Sequence, residues 1–187
     1  MSAKSEPWYI HAILYVIIFA LAYVLIRVAI IDPTEVIEKE TYIKTESRLR
    51  MSNLREAQIL WQKRFGTFTD NLDTLIGFIK NDTGVAKLLT GFDSTRMKST
   101  NPFKNLSTGS FVADSLFYYP GNHLRFVMRV DTSTAVDTII NRRGTIVKID
   151  SSKTMGSRYL IETPDSLNRD KIGDLFSDAL KNTASWE

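Results

Sequence analysis

Two histidines, His11 and His123, make up the whole imidazole complement of this 187-residue chain, and it has no cysteine. Disulfides, thiolate metal sites and a cysteine nucleophile are therefore excluded, and one domain cannot supply paired imidazoles to a metal. His123 stands beside Pro120-Gly121-Asn122, where it reads as a turn or strand residue rather than a catalytic base. Asp70 and Asp73 resemble a pair of carboxylates for acid–base work, but acids at a helix start serve better as caps. Asn81-Asp82-Thr83-Gly84 and Asp131-Thr132-Ser133-Thr134 are rich in side-chain oxygen. Neither has the spacing of a calcium hand, and both read as turns. The glycines fall at no phosphate-loop, nucleophile-elbow or dinucleotide spacing. The expectation is a non-enzymatic chain with no cofactor and no metal. Arg125, Arg129, Arg142 and Arg143 can share one sheet surface, as a solvated face or as a docking patch for an acidic partner.

The elements that would carry these residues begin with an apolar run. Trp8 to Ile31, WYIHAILYVIIFALAYVLIRVAII, holds no Gly or Pro and one full charge, Arg27. Crossing a hydrocarbon core takes ~20 apolar residues, and this run is apolar on every face, as a core helix is not. A cleaved signal has a shorter apolar region and a small-residue cleavage site, whereas DPTEVIEKE follows here. Residues 1–31 are thus expected to anchor the chain. Trp8 and Tyr9 lie at one interface, Tyr15 lies on the span, and Arg27 is close enough to the far end to snorkel. The flanks nearly tie in Lys and Arg. A short amino-terminal stub inside and the large domain outside is the simpler arrangement, which places the chain in a bacterial inner membrane facing the periplasm.

Asp32 as a cap and Pro33 in a first turn predict a helix that restarts at once and runs to about Phe65. Residues 32–48 form a charged stalk with few apolar positions. From Leu49, the positions Leu54, Ala57, Leu60, Trp61 and Phe65 recur at helical spacing. Gly66 is placed to end the helix in the left-handed conformation, and Asp70 to cap a second one whose face is Leu72, Leu75, Ile76 and Ile79. Asp93 to Ser110 reads as a long loop that is functional, mobile or ordered by a partner.

The last third changes period. DSLFYYPGNHLRFVMRV predicts a hairpin, with Leu124, Phe126, Met128 and Val130 alternating against Arg125, Val127 and Arg129. TAVDTIINRRGTIVKID predicts a second pair about Asn141 to Gly144, SRYLIETP a last strand, and RDKIGDLFSDALKN a terminal helix. The fold class is α+β: a transmembrane helix continuing into a long helix, packed on a small antiparallel sheet with a carboxy-terminal helix, and a head spanning 49–187.

In LREAQILWQKRFGTFTDNLDTLIGF, Trp61, Gly66, Phe68, Thr69 and Leu75 stand where a helix ends at a glycine and a capped turn follows. This segment resembles that of type IV pilins and type II secretion pseudopilins. With RLRMSNLREAQ it is also similar to small single-pass envelope proteins of Bacteroidota-type bacteria. The resemblance implies a structural joint at Trp61, Gly66, Phe68, Asp70 and Leu75, where a rod enters a pseudopilin-like head. The chain has Glu6-Pro7 before its span and no acid from Trp8 to Ile31, in place of the glycine and glutamate that prepilin processing and filament assembly read. The likeness is therefore structural.

Two roles follow as expectations. One is an accessory subunit of a secretion, motility, pilus-like or respiratory assembly, with membrane lipid and other envelope proteins as partners and a possible oligomer or complex. The other is a tethered binding module or hydrolase for a small ligand or envelope polymer, using the 93–110 loop and the aromatics Phe111, Phe117, Tyr118 and Tyr119. Net charge is +3 with no basic block, which argues against nucleic acid.

Overall fold

The computed structural model describes residues 7–95, 97–141, 144, 146–166 and 168–187. The chain divides into two compact units, Met1–Ile43 and Lys44–Glu187. The fold is α+β, as the sequence pattern implies.

Helix α1, Trp8–Ile26, passes through a π-helical stretch at Arg27–Ile31 into α2, Asp32–Phe65. Asp32 has helical dihedrals, φ −60° and ψ −44°, so it is an interior residue and not the expected cap. Pro33 explains the widened turn before it. A proline inside a helix removes one N–H and crowds the carbonyl four residues back, and a π-turn relieves both. The Thr34 hydroxyl donates to the carbonyls of Ile30 and Ile31 at 2.9 and 2.8 Å. Every residue of α1 is exposed, and the helix Trp8–Phe65 contains a window long and apolar enough to cross a membrane.

Within Lys44–Glu187, α2 buries Met51, Leu54 and Ala57 completely. Leu54 and Ala57 match the expected stripe, whereas Leu60 and Trp61 are half-buried and Phe65 is exposed. Gly66 ends the helix at φ +83°, its N–H donating to Gln62 O at 2.8 Å. Helix α3, Leu72–Asn81, buries Leu72, Leu75, Ile76 and Ile79. Its cap is Asn71, whose side chain accepts from Thr74 N at 3.1 Å, so the expected cap at Asp70 is displaced by one residue. Asp82 then ends α3 and caps α4, Thr83–Thr90, by accepting from Gly84 N and Val85 N at 2.7 and 3.1 Å. The turn expected at Asn81–Gly84 is thus a junction between two helices.

A short hairpin follows, β1 Phe92–Asp93 with β2 Lys98–Ser99, and then a 3-10 turn at Ala113–Phe117 in place of an expected strand run. The main sheet has order β3–β4–β5, all antiparallel: β3 Val127–Ile140, β4 Ile146–Glu162 and β5 Lys171–Gly173. β3 and β4 pair antiparallel on either side of the segment where alternation placed a hairpin, and SRYLIE continues β4 rather than forming a separate strand. Phe126 and Met128 face inward, and Tyr159, Ile161 and Ile172 are fully buried.

The carboxy-terminal helix is not formed. β5 pairs with β4, and only a 3-10 turn at Asp178–Leu180 follows. Gly173 has φ +87°, a left-handed residue that breaks the helical run. Asp174 then accepts from Phe176 N and Ser177 N at 2.7 and 2.8 Å, a local turn that competes with helical hydrogen bonding. Ile172 joins the core, and Phe176 is left 89% exposed.

Candidate functional site

Three sets of residues stand out in the sequence. The anchor residues Trp8, Tyr9, Tyr15 and Arg27 all project from an apolar helix with no buried position. Arg27 Nε lies 3.5 Å from Asp32 Oδ1, an ion pair at the end of the apolar run.

The joint residues come together around the end of α2, with one exception. Trp61 packs on Phe65 and Phe78 at ring distances of 4.2 and 5.3 Å. Phe68 is buried against Tyr159 at 4.6 Å, and its N–H donates to Gly156 O at 2.8 Å. Gln58 holds the next residue through both amide atoms, donating to Thr69 O at 2.5 Å and accepting from Thr69 N at 3.2 Å. Leu75 is fully buried, whereas Asp70 is exposed and caps nothing. Asp70 instead borders an open groove with Asn71, Asp73, Arg125 and Phe126.

Of the arginine patch, Arg125 and Arg129 are described, and Arg142 and Arg143 lie outside the described residues. Arg125 is ion-paired to Asp73 and sits 5.1 Å from the Phe117 ring centre. The Asp73 hydrogen bond raises its already high pKa. Arg129 Nη1 lies 3.6 Å from Glu162 Oε2. An open pocket of about 370 Å³ beside it is lined by Val127, Arg129, Glu162, Asp165, Arg169 and Asp170 among others, so this surface mixes both signs of charge.

Sequence reasoning missed a polar ladder on the buried face of α2. Glu46 is fully buried and accepts from Ser107 N at 2.9 Å and Arg50 Nε at 3.0 Å. Arg50 also donates to Tyr118 O at 2.6 Å. Asn53 binds Lys104 at both backbone atoms, donating to its carbonyl at 2.9 Å and accepting from its N–H at 2.8 Å. Each rung holds a stretch of main chain that forms no sheet or helix of its own. With Phe103 and Leu106 buried and Phe103 stacked on Phe111 at 4.5 Å, 103–111 is pinned to α2. Burial alone would push the Glu46 carboxyl up, but the hydrogen bonds from Ser107 and Arg50 outweigh it and leave the group below its ordinary value. The available signal was Glu46 four residues before Arg50, with Asn53 and Gln58 interrupting the Met51–Leu54–Ala57 stripe.

No family model, curated protein or solved structure matches the chain.

A second missed rung lies in the sheet. Asp131, read from the sequence as a turn, is a buried strand residue that accepts from Ser157 N, Ser157 Oγ, Arg158 N and Arg158 Nε at 2.8–3.1 Å. Burial opposes ionisation here too, yet these donors hold its carboxyl below the ordinary range. The carboxy-terminal segment is tied to α2 in the same way: Arg48 clasps Asp170 at 2.8 and 3.2 Å and lies over Trp186, and Arg55 reaches Glu187 at 2.9 Å. The aromatics considered for ligand binding mostly pack, with Tyr119 buried and Phe111 in the Phe103 stack. His123 occupies a left-handed turn position, φ +55°. Among the described residues, no three of His, Asp and Glu are grouped as metal ligands.

Proposed function

We propose that this chain is a non-enzymatic, single-pass, membrane-anchored envelope protein acting as a structural or accessory subunit of a larger membrane assembly. It resides in a bacterial inner membrane with Lys44–Glu187 on the periplasmic side, meeting lipid through α1 and partner proteins through its head. One observation carries this reading: every residue of Trp8–Ile26 is exposed in a helix that is apolar throughout, while Lys44–Glu187 closes a core of its own. An exposed apolar surface of that extent requires lipid or protein around it. The head supports the reading by how it uses its ionisable groups. Glu46, Asp131, Asp170 and Glu187 hold backbone or arginine partners in place. The likeness of the Trp61–Leu75 joint to pseudopilins points the same way.

The test is crosslinking in intact membranes, followed by purification of the full chain in mild detergent and mass spectrometry. The proposal expects a reproducible set of envelope proteins linked to the head. A solitary monomer at native expression level contradicts it.

A further inference from the structure

Phe176 is the most exposed large apolar side chain among the described residues, at 89%, yet its main chain is held at both polar atoms. Its N–H donates to Asp174 Oδ1 at 2.7 Å, and its carbonyl accepts from Arg158 Nη1 at 2.7 Å. Arg158 is in turn fixed to the buried Asp131 at 3.1 Å, so the sheet itself positions the turn. An exposed ring on a fixed backbone has little conformational freedom left to lose when it meets a partner. Aromatic side chains in that condition serve as anchors of protein interfaces.

Beside the ring lies a recess of about 390 Å³, lined by Val130, Asp131, Thr132, Arg158, Leu175 and Phe176 itself. Met155, the cross-strand partner of Thr132, is 54% exposed and extends the apolar surface. The charges here are Asp131, Asp178 and Arg158, whose Nε lies 3.1 and 3.9 Å from the two carboxylates. Each carboxylate thus has a partner already, and a charged occupant would lose its water without gaining an unpaired charge to meet. The recess suits an uncharged apolar group such as a phenyl ring.

We infer that this surface pairs with itself: about a twofold axis, Phe176 of each copy enters the recess of the other. A twofold contact requires one surface to carry both halves of its own complement, and a projecting ring directly beside an apolar recess is such a pair. The neutral rim means that two identical surfaces meet without like-charge repulsion. The contact lies wholly within Lys44–Glu187, so the inference stands apart from the anchoring role.

Photo-crosslinking of the full-length chain in isolated membranes tests it. Phe176→p-benzoylphenylalanine should give a linked homodimer, with the joined peptide of the second copy containing Val130–Thr132 or Met155. The same substitution at Phe92, which is 60% exposed on β1, should not. Adding Thr132→Lys to the crosslinking chain places a charge in the recess and should cut the homodimer yield about tenfold. A co-expressed, separately tagged Phe176→Ala chain still has an open recess, so linking to that chain should return. Homodimer yield at 176 no greater than at 92 overturns the inference, as do links only to a different protein or a yield indifferent to Thr132→Lys. Circular dichroism checks folding of the lysine variant, and if it is unfolded the identity of the linked peptide decides.

Discussion

Gln58 and Thr69 are joined by two hydrogen bonds, the side-chain amide of one matching the backbone N–H and carbonyl of the other at 3.2 and 2.5 Å. The pair spans the end of α2 and fixes the path of the chain as it turns toward α3. Replacing Gln58 with Met keeps the volume and leaves two backbone groups without partners. The expected loss is about 2–4 kcal/mol in urea unfolding of the full chain, against under 1 kcal/mol for an exposed control such as Lys63→Met.

The left-handed glycines separate strain from crowding. Gly66 has φ +83° with open space where a Cβ would go, so Gly66→Ala meets only the backbone penalty, about 1 kcal/mol. At Gly173 a Cβ would fall 2.2 Å from Tyr159 O, and at Gly156 2.8 Å from Phe68 O. Thermal unfolding should rank Gly173→Ala as most destabilised, Gly156→Ala next and Gly66→Ala least. Equal effects at all three would remove the crowding argument.

Acid should open the head through Glu46. Its carboxyl is held below the ordinary value of 4.5 in the folded chain, so the unfolded chain takes up the proton first as pH falls. The stabilisation is therefore present above about pH 4.5 and is lost as pH drops through the lower folded value. Asp131 contributes with the same sign. Glu46→Gln should lower stability at pH 7 by about 3 kcal/mol, because Arg50 loses its buried partner. The same variant should show a shallower decline between pH 5 and 3 in denaturant titrations. A variant with the wild-type slope would show that Glu46 is not the acid-sensitive group.

These residues mark where sequence was informative. α1 was legible because its apolar residues occupy every face of the helix, and α3 because Leu72, Leu75, Ile76 and Ile79 repeat at helical spacing. Gly66 and the β3–β4 hairpin were legible from local backbone preference and alternation. The rungs at Glu46, Asn53 and Gln58 were not, because a polar side chain on an apolar stripe reveals its role only when the facing main chain is known. Helix α4 is short, and its cap Asp82 looks from sequence like the end of α3 rather than the start of another helix. At the carboxy terminus, the Ile172–Leu180 spacing suggested a helix, but the positive φ of Gly173 and the Asp174 turn overrode it. The arginine patch was read by sign alone, and Asp73 and Glu162 beside Arg125 and Arg129 come from distant parts of the chain.

The carboxy-terminal tie predicts a smaller effect. Arg55→Ala removes contacts to Glu187 and to Asn182 O, and the partly exposed ion pair limits the loss to about 1 kcal/mol. Proteolysis of the last residues should accelerate in this variant, measured by limited digestion and intact mass. Unchanged digestion would show that the segment is held by other contacts.

The central claim is that Trp8–Ile31 stays in the membrane as an anchor. Alkaline carbonate washing of isolated membranes, followed by intact mass of the retained protein, tests it most directly. The account predicts that the chain stays in the pellet with its apolar segment intact. Release into the supernatant, or a mass lacking that segment, would contradict it.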